Sequence, residues 1–228
     1  MDRAAPGVKK AVLLLSGGLD STTVAALLHS ENMPFIVLTV DYGQRHSREI
    51  DAARRIARHY GAEQIVMKID FSEIGGSALT DQGIDVPRGG TTGIPVTYVP
   101  ARNTVFLSVA LGIAEARECG HIYAGVNAVD YSGYPDCRPE FIDAFNRMAA
   151  LATRAGVEGI SPLVVTPLIS KSKRDIVLLG KELAAPYELS WSCYNGRKKA
   201  CGVCDSCILR LKGFREADLE DPLEYENK

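Results

Sequence analysis

The sequence predicts an α/β fold, in which a parallel five-stranded sheet carries helices on both faces and a small cysteine-rich segment follows. Short apolar runs rich in β-branched residues alternate along the chain with longer segments whose apolar residues have helical spacing. Strand–helix alternation of this kind produces a parallel sheet that is covered on both sides. The composition, 46% hydrophobic and 24% charged residues, is that of an ordinary globular protein with a sizeable core.

The predicted strands are short continuous apolar runs, as expected for strands buried on both faces of a parallel sheet. The first, "AVLLL", stands directly before a glycine pair. The fifth is predicted as a strand or an edge segment. The five strands are predicted at residues 11–15, 35–40, 64–69, 121–126 and 163–168.

The predicted helices lie between these runs. The second one shows the pattern most clearly, because Ile50, Ala53, Ile56 and Ala57 share one face and Gly61 follows as a stop signal. Residues 70–100 lack a long period and are rich in Gly, Thr and Pro, which indicates a functional loop or lid. The helices are predicted at residues 20–30, 47–60, 104–119, 139–156 and 172–184.

The predicted domain division places an α/β domain at residues 1–185 and a cysteine-rich segment with an acidic tail at 186–228. The tail, residues 216–228, is predicted to be solvated because most of it is polar and acidic. The formal net charge of −2 gives no electrostatic reason to expect a wide nucleic-acid-binding surface.

The N-terminal apolar run is too short for a signal sequence or a membrane span, so the sequence predicts a cytoplasmic protein without a membrane partner. In a reducing compartment, clustered CxxC spacings favour a metal site over a disulfide.

A phosphate-binding loop is predicted after the first strand, at "SGGLDSTT", residues 16–23. Two glycines let the backbone approach a ligand closely, and the N-terminus of the following helix attracts anions. A tight strand-to-helix turn is the simpler alternative for a glycine pair. The loop has neither the "GK[ST]" of a Walker A motif nor the three glycines of a dinucleotide fingerprint.

The hexapeptide "SGGLDS" resembles the SGGxDS loop of the PP-loop ATP pyrophosphatases. The resemblance implies that Ser16, Gly17, Gly18, Asp20, Ser21 and Thr22 bind the phosphates of ATP, with an Asp associated with Mg²⁺. The stretch that begins at Asp41, after the second strand, is a natural place for contacts to adenine and ribose. The nucleotide-binding residues are therefore predicted to be Leu14, Leu15, Ser16, Gly17, Gly18, Leu19, Asp20, Ser21, Thr22, Thr23, Val24, Asp41 and Tyr42.

Further motifs in the same order resemble one family within this group, the 7-cyano-7-deazaguanine synthases of the queuosine precursor pathway. They are "DYGQRHSREID", "VPARN", "YSGYPDCRPEF", "TPL…SK" and "CYNG…CGVCDSC". The resemblance implies an ATP-dependent carbon–nitrogen ligase that converts 7-carboxy-7-deazaguanine and ammonia to the nitrile through adenylated carboxylate and amide intermediates. It also implies a homodimer. The absence of a glutaminase segment in this sequence predicts that free ammonia or a partner protein supplies the nitrogen.

The resemblance suggests roles for four catalytic candidates. Lys173 is predicted to contact ATP phosphates, with Lys171 as a rival and a solvated lysine as the simpler alternative. Arg102 is predicted to contact ATP or substrate. Asp136 could bind the guanine-like N–H edge, and Arg138 could pair with the substrate carboxylate. For residues 133–136 a turn-forming role is nearly as well supported.

Neighbouring residues have weaker signals. Asn103 is by default an exposed helix cap. Asp130 and Tyr131 share the loop of Asp136 but have no individual role. Cys137 could be a nucleophile, although a buried packing role is the usual one for a lone cysteine. His46 could act in acid–base chemistry, and a supporting position is the safer interpretation.

Four cysteines, Cys193, Cys201, Cys204 and Cys207, are predicted to bind one structural Zn²⁺ tetrahedrally. An iron–sulfur cluster is the main competitor. Two other functions remain open at this point: a zinc-containing nucleic-acid-binding module, and a PP-loop enzyme that modifies tRNA directly. The acidic charge balance and the single tryptophan favour neither, so stable nucleic-acid binding is not expected.

Overall fold

The computed structural model describes residues 10–89, 93–129 and 134–226. Its centre is a parallel five-stranded sheet with the order β3-β2-β1-β4-β5, which confirms the predicted fold class. The strands are β1 (Ala11–Leu14), β2 (Phe35–Asp41), β3 (Gln64–Lys68), β4 (His121–Ala124) and β5 (Leu163–Val165). The fifth predicted strand is therefore real, and it forms an edge next to β4.

Seven helices belong to the described part of the chain. They are α1 (Leu19–Ser30), α2 (Arg48–His59), α3 (Arg102–Ala116), α4 (Pro139–Ala152), α5 (Arg154–Val157), α6 (Lys173–Glu182) and α7 (Asp205–Glu216). Short 3₁₀ turns occur at Pro135–Cys137 and Tyr187–Leu189. Among the described helices, none combines the length and the apolar character that crossing a membrane requires.

The core has two layers, because successive side chains of a strand point to opposite faces of the sheet. In β1, Val12 faces one layer, which contains the buried sides of α3 and α4. Ala11 and Leu13 face the other layer, which contains α1, α2 and α6. Helices thus cover both faces, and the loops at the carboxyl ends of the strands remain available for a site.

The predicted helix at 139–156 is two helices, α4 and α5. Thr153 interrupts them with an extended backbone, at φ −117° and ψ 153°. Its hydroxyl oxygen accepts the N–H of Gly156 at 2.9 Å and so caps the second helix. The apolar periodicity could not show this break, because a threonine also occurs within helices.

The structure contradicts the prediction of a solvated acidic tail. Asp221 and Tyr225 are buried, and Ala200 pairs with Tyr225 in an isolated parallel bridge. The tail lies beside α7, a helix that the sequence did not predict and that packs against α6 across the predicted boundary at 185–186. The composition of the tail was misleading because Tyr225 packs and one of the acidic residues, Asp221, is buried as well.

The long loop predicted at 70–100 has neither strand nor helix in its described parts, 70–89 and 93–100. Arg45 fixes it to the chain after β2. The guanidinium donates to the carbonyl oxygens of Ala78 at 2.5 Å and Asp81 at 2.9 Å, and also to that of Ile84. Leu79 of this loop reaches the cavity described next, so the loop forms part of a site.

Candidate active site

A cavity of about 280 Å³ opens at the carboxyl ends of β1, β2 and β4. Ten predicted residues line it: Leu14, Leu15, Ser16, Gly18, Leu19, Asp20, Ser21, Tyr42, Arg102 and Lys173. The other predicted nucleotide-binding and catalytic residues do not: Gly17, Thr22, Thr23, Val24, Asp41, Asp136 and Arg138. The structure thus brings the phosphate loop and Lys173, which are far apart in sequence, into one cavity.

The phosphate loop joins β1 to α1. Gly17 has a φ of +86°, a left-handed conformation that favours glycine, and a β-carbon there would lie 2.7 Å from the backbone nitrogen of Ala53 in α2. Gly18 precedes α1, and its N–H donates to Ser16 Oγ at 3.3 Å. The N-terminal end of α1 therefore faces the cavity beside two serine hydroxyls, an arrangement suited to an anion.

The two threonines that end the loop, Thr22 and Thr23, do not line the cavity. Thr22 Oγ1 donates to the Gly18 carbonyl at 2.7 Å. Thr23 is fully buried, donates to the Leu19 carbonyl at 3.0 Å, and bonds the Tyr187 hydroxyl at 2.7 Å. Their hydroxyls are thus used within the protein and stabilise the first turn of α1.

Lys173 and Asp20 form a buried ion pair at the phosphate loop. Lys173 Nζ lies 2.5 Å from Asp20 Oδ2, with side chains 10% and 23% exposed. Lys173 is the first residue of α6, which Ser172 caps through the N–H of Asp175 at 3.2 Å. The other carboxylate oxygen, Asp20 Oδ1, is buried without a hydrogen-bond partner among the described residues.

The rival lysine, Lys171, does not line the cavity, whereas Lys173 does. Close packing of α7 on α6 fixes the position of Lys173, because a β-carbon at Gly213 would lie only 2.9 Å from the Lys173 β-carbon. The geometry therefore favours Lys173 over Lys171 as the cation facing a bound anion.

Arg102 lies at the start of α3 inside a cage of aromatic rings. Its guanidinium carbon is 5.8 Å from the Tyr42 ring centroid, 5.9 Å from Tyr134 and 6.0 Å from Phe106. Ala101, the residue before α3, has a φ of +54°. A caged guanidinium that lines the cavity is a rigid donor for a carboxylate or a phosphate.

The N-terminus of α3 is capped by Asp136, not by Asn103 as the sequence suggested. Asp136 Oδ2 accepts the Asn103 N–H at 3.0 Å, while Asn103 Nδ2 donates to the Cys137 sulfur at 3.2 Å. Asn103 is half-buried and lines the cavity. Asp136 Oδ1 is buried and has no hydrogen-bond partner in the described ranges.

The structure does not bring Arg138 to the cavity. Its side chain is exposed and its Nε donates to the Pro135 carbonyl at 3.2 Å. The pairing of Arg138 with a substrate carboxylate stays a prediction, and Arg102 is the predicted arginine that lines the cavity. Asp130 and Tyr131, from the same loop, lie outside the described residues.

Cys137 and His46 have environments that fit their supporting interpretations. Burial raises the pKa of the Cys137 thiol to about 11, with Asp136 adding to the rise, so the thiol is protonated at neutral pH. His46 Nε2 lies 3.0 Å from the Cys193 carbonyl oxygen, and burial lowers the pKa of this histidine. His46 therefore contacts the cysteine segment, residues 190–207, and is not among the residues lining the cavity.

Sequence reasoning missed Glu49, in the first turn of α2. The residue is half-buried and lines the cavity. Burial raises the pKa of Glu49 to about 7, although the positive charge of Arg102 lowers it. The available signal was its place in "DYGQRHSREID", directly after a strand end, but alternation with apolar residues on α2 made Glu49 look like an ordinary surface residue.

The four cysteines converge on one point. Their sulfur atoms lie within 4.8 Å of one another, and all four side chains are buried. Backbone N–H groups point at these sulfurs, from Cys201 to Cys193 at 3.3 Å and from Cys204 to Cys201 at 3.4 Å. A single tetrahedral zinc with bonds of about 2.3 Å holds its thiolates roughly 3.8 Å apart, so the donor set fits one ion.

The cysteine segment contacts the phosphate loop and α2 directly. The backbone N–H of Trp191 donates to the Gly17 carbonyl at 2.8 Å. Arg48 of α2 donates to the Gly196 carbonyl at 3.0 Å, and its guanidinium lies 4.9 Å from the Trp191 ring centroid. The segment thus forms part of the support of the phosphate loop, 170 residues away in sequence as counted from Asp20 to Ser190.

A buried ion pair fixes the tail beside this segment. Arg210 of α7 donates to both oxygens of Asp221 at 2.9 Å, and both side chains are 1% exposed. Arg210 also donates to Ser190 Oγ at 2.7 Å, and Asp221 accepts the Tyr225 hydroxyl at 2.6 Å. Because each partner is neutralised and hydrogen-bonded, the pair can persist out of water.

Comparisons with known proteins agree with the fold. The chain is 56% identical over 222 residues to the 7-cyano-7-deazaguanine synthase of Saccharophagus degradans, covering 96% of this chain and 99% of the relative. It is 55% identical to the synthase of the same name from Pseudomonas fluorescens, covering 95% and 98%. The solved structure of NMN synthetase from Francisella tularensis has the same fold, with a TM-score of 0.51 at 14% identity over 94% of this chain and 89% of that one.

A family model described as "Queuosine biosynthesis protein QueC" matches residues 10–218, which is nearly the whole chain. Both the model and the two relatives extend over the phosphate loop, the caged arginine and the four cysteines. The chain therefore belongs to the queuosine biosynthesis protein QueC family.

Proposed function

We propose that this protein is an ATP-dependent carbon–nitrogen ligase that converts 7-carboxy-7-deazaguanine and ammonia to 7-cyano-7-deazaguanine. Relatives that share more than half of its residues carry the name 7-cyano-7-deazaguanine synthase. The observation that carries the proposal is one cavity holding an anion-binding loop, the Lys173–Asp20 pair and the caged Arg102.

The phosphate loop binds the pyrophosphate part of ATP. A carboxylate is a poor electrophile, and adenylation gives it AMP as a leaving group. Ammonia then displaces AMP to form the amide, and a second adenylation at the amide oxygen allows loss of AMP and formation of the nitrile. Preorganised donors near the developing charge, such as the α1 N-terminus and Lys173, lower the barrier of both adenylations.

Lys173 moves from Asp20 to the phosphates when ATP binds. The freed carboxylate, with its unpartnered Oδ1, would hold a Mg²⁺ ion that neutralises phosphate charge. Arg102 binds the substrate carboxylate from its aromatic cage. Asp136 is outside the cavity lining but adjoins Cys137, which lines the cavity, and its unpartnered Oδ1 would accept an N–H of the guanine-like edge.

The four cysteines hold one structural Zn²⁺ ion. Four protein thiolates leave no open coordination position, so the metal takes no part in the reaction. Its contribution is to fold the segment whose Trp191 contacts Gly17. The proposed location is the cytoplasm, because a reducing compartment keeps such cysteines free to bind the metal.

A homodimer is the proposed assembly, and the protein forms it without nucleic acid. Exposed apolar side chains between the end of α4 and β5 support this: Leu151 is 82% and Val157 is 80% exposed, close in sequence to exposed Ile160 and Leu163. Light scattering should give twice the chain mass of 24.6 kDa. A Leu151→Glu variant at the chain mass, still folded, would support this surface as the interface.

Mass spectrometry tests the reaction directly. Incubation with ATP, ammonium and 7-carboxy-7-deazaguanine should yield the nitrile, with AMP and pyrophosphate as the other products. Tight tRNA binding without the nitrile would contradict the proposal and favour an enzyme that modifies tRNA directly. Product formation that requires glutamine and does not occur with ammonium would contradict the proposed nitrogen source.

Lys173→Ala tests the phosphate site, with Lys171→Ala as the matched control. The first change should lower kcat/KM for ATP by about 100-fold, since a charge-assisted contact to a transition-state phosphate is worth roughly 3 kcal/mol. The second should change it by less than about threefold, because Lys171 does not line the cavity. Equal effects of both changes would remove the assigned role of Lys173.

A further inference from the structure

The proposed reaction requires proton removal from nitrogen at two stages. Ammonium must lose a proton before its nitrogen can attack the adenylated carboxyl carbon. Later, the adenylated amide must lose nitrogen-bound protons as the nitrile forms. A positioned side chain that accepts such protons speeds each step by about 10²–10⁴-fold. A proton acceptor is therefore expected within the cavity.

Most titratable groups that line the cavity are unsuited to this task. Asp20 is paired with Lys173 at 2.5 Å, and once Lys173 moves to the phosphates the Asp20 carboxylate would hold the proposed Mg²⁺ ion. The pKa of Cys137 is raised to about 11, chiefly by burial, and the Cys137 sulfur already accepts the Asn103 amide. Burial also raises the pKa of Tyr42 far above neutrality. These groups hold their protons or their partners at neutral pH.

Glu49 is different in its contacts. Its carboxylate forms no hydrogen bond and no ion pair with any residue in the ranges 10–89, 93–129 and 134–226, although it lines the cavity. Its backbone carbonyl packs against Gly17, which fixes the residue relative to the phosphate loop. A carboxylate without a protein partner at this place is free to accept a hydrogen bond from water or from a ligand in the cavity.

The charged and titratable groups around Glu49 come from three elements. Tyr42 follows β2, Arg102 begins α3, and Cys193 belongs to the cysteine segment. Burial raises the pKa of Glu49 to about 7, Arg102 opposes this rise, and Cys193 adds to it. A carboxyl group with such a pKa exchanges protons readily near neutral pH.

We propose that the Glu49 carboxylate binds the substrate nitrogen and accepts its protons, both when ammonia adds and when the nitrile forms. This inference rests on the proposed function. Arg102 and Glu49 then have complementary tasks at the same carbon. Arg102 donates to the oxygen of the carboxylate or amide. Glu49 accepts from the N–H of ammonia in the first stage and of the amide nitrogen in the second.

The atoms and charges balance in both stages. In the first, ammonium gives one proton to Glu49, the nitrogen lone pair forms the C–N bond, and the C–O bond to AMP breaks with its electron pair leaving on AMP. The remaining excess proton on nitrogen passes to water. In the second, the adenylated amide loses its N–H protons, one to Glu49 and one to water, while the C–O bond to AMP breaks and the C≡N bond forms.

Glu49→Gln tests the proposal, because glutamine keeps the shape and removes the basic oxygen. Starting from 7-carboxy-7-deazaguanine, we expect the amide to accumulate, and starting from the amide we expect nitrile formation to slow by about 100-fold. Raising ammonium and pH should restore amide formation, since free ammonia then comes from solution, but should not restore nitrile formation. Asp51→Asn, an exposed change on the same helix, is the control and should leave both steps unchanged.

Several outcomes would overturn the inference. Unchanged rates in Glu49→Gln would remove the role. A raised KM for ATP with both steps slowed equally would assign Glu49 to the nucleotide, for instance to a ribose hydroxyl. If the Glu49→Gln protein does not fold, the Glu49→Asp variant tests the same prediction. Its shorter carboxylate should again slow nitrile formation more than amide formation. A wild-type protein that makes no nitrile would contradict the proposed function itself, which is a separate result.

Discussion

Two regions meet at one backbone hydrogen bond: the phosphate loop, residues 16–23, and the cysteine segment, residues 190–207. The backbone N–H of Trp191 donates to the Gly17 carbonyl at 2.8 Å. The loop directs backbone and hydroxyl groups into the cavity, and Gly17 fits there only because it lacks a side chain facing α2. The cysteine segment directs its four sulfurs inward to one point. The loop therefore takes its shape from its neighbours, whereas the segment is organised around its own four-cysteine cluster and lies beside a buried ion pair.

Of the changes that test this difference between the two regions, metal removal should have the largest effect on the protein. Structural zinc contributes about 10–16 kcal/mol of apparent binding free energy in small zinc-binding peptides, which is as large as the stability of a whole domain. We expect a chelator to unfold residues 190–226 first and to abolish activity, while amides of the sheet stay protected. Hydrogen exchange with mass spectrometry measures both regions.

Two results would count against this account of the metal. Unchanged exchange in residues 190–226 after metal removal would show that the segment folds without it. Iron with acid-labile sulfide in anaerobically purified protein would replace zinc by a cluster. Cys119→Ser is the control, because Cys119 is buried outside the cysteine cluster and its replacement should leave metal content unchanged.

Breaking the buried ion pair should have the next largest effect. Asp221→Ala leaves the Arg210 guanidinium buried at 1% exposure without its carboxylate, which costs about 3–5 kcal/mol. Urea unfolding monitored by fluorescence measures the loss. Glu224→Gln, on the exposed pair with Lys199, should change the free energy of unfolding by less than about 0.5 kcal/mol. Similar losses for both variants would show that the tail is solvated after all.

Gly17→Ala should follow, and Gly18→Ala is its matched control. At Gly17 the left-handed backbone and the approach to α2 both oppose a side chain, so we expect a loss of about 2–3 kcal/mol. At Gly18 the nearest atoms to an added β-carbon are 3.4 Å and 3.7 Å away, which is ordinary contact. Thermal unfolding of the two variants compares them, and equal stabilities would mean that α2 does not shape the loop.

Trp191→Phe should have the smallest effect. It removes the indole N–H that donates to the Cys193 carbonyl at 2.8 Å but keeps the backbone bond to Gly17. The expected loss is about 1 kcal/mol, with KM for ATP changed less than about threefold. A large rise in that KM, with metal content unchanged, would show that the indole and not the metal holds the loop.

Most of the fold was predictable from local pattern. Continuous apolar runs fixed five strands, and helical spacing fixed the helices between them, because both periodicities depend on neighbours in the chain. α7 was missed since cysteines and basic residues interrupt its apolar spacing. The tail was wrongly predicted as solvated, because burial of Asp221 depends on Arg210, and no local pattern reports a partner from another helix.

The site was predictable in part. The phosphate loop was identified because its glycines, serines and aspartate are consecutive, and Lys173 because its motif stands at the start of a helix. The exposure of Arg138 was not predicted, and Glu49 was overlooked. Both have one cause: charge and spacing do not tell which way a side chain points once its helix or turn is packed.

By itself, the sequence determined the alternation of strands and helices along the chain up to about residue 184, the glycine pair after the first strand and a donor set for one metal ion. Each of these depends on residues that are close along the chain. Only the tertiary structure decided that Lys173 meets Asp20, that Arg102 is caged while Arg138 is exposed, and that Trp191 contacts the phosphate loop. The physical reason is that these contacts depend on how surfaces distant in sequence fit together, which side-chain volume and packing direction decide and local spacing does not.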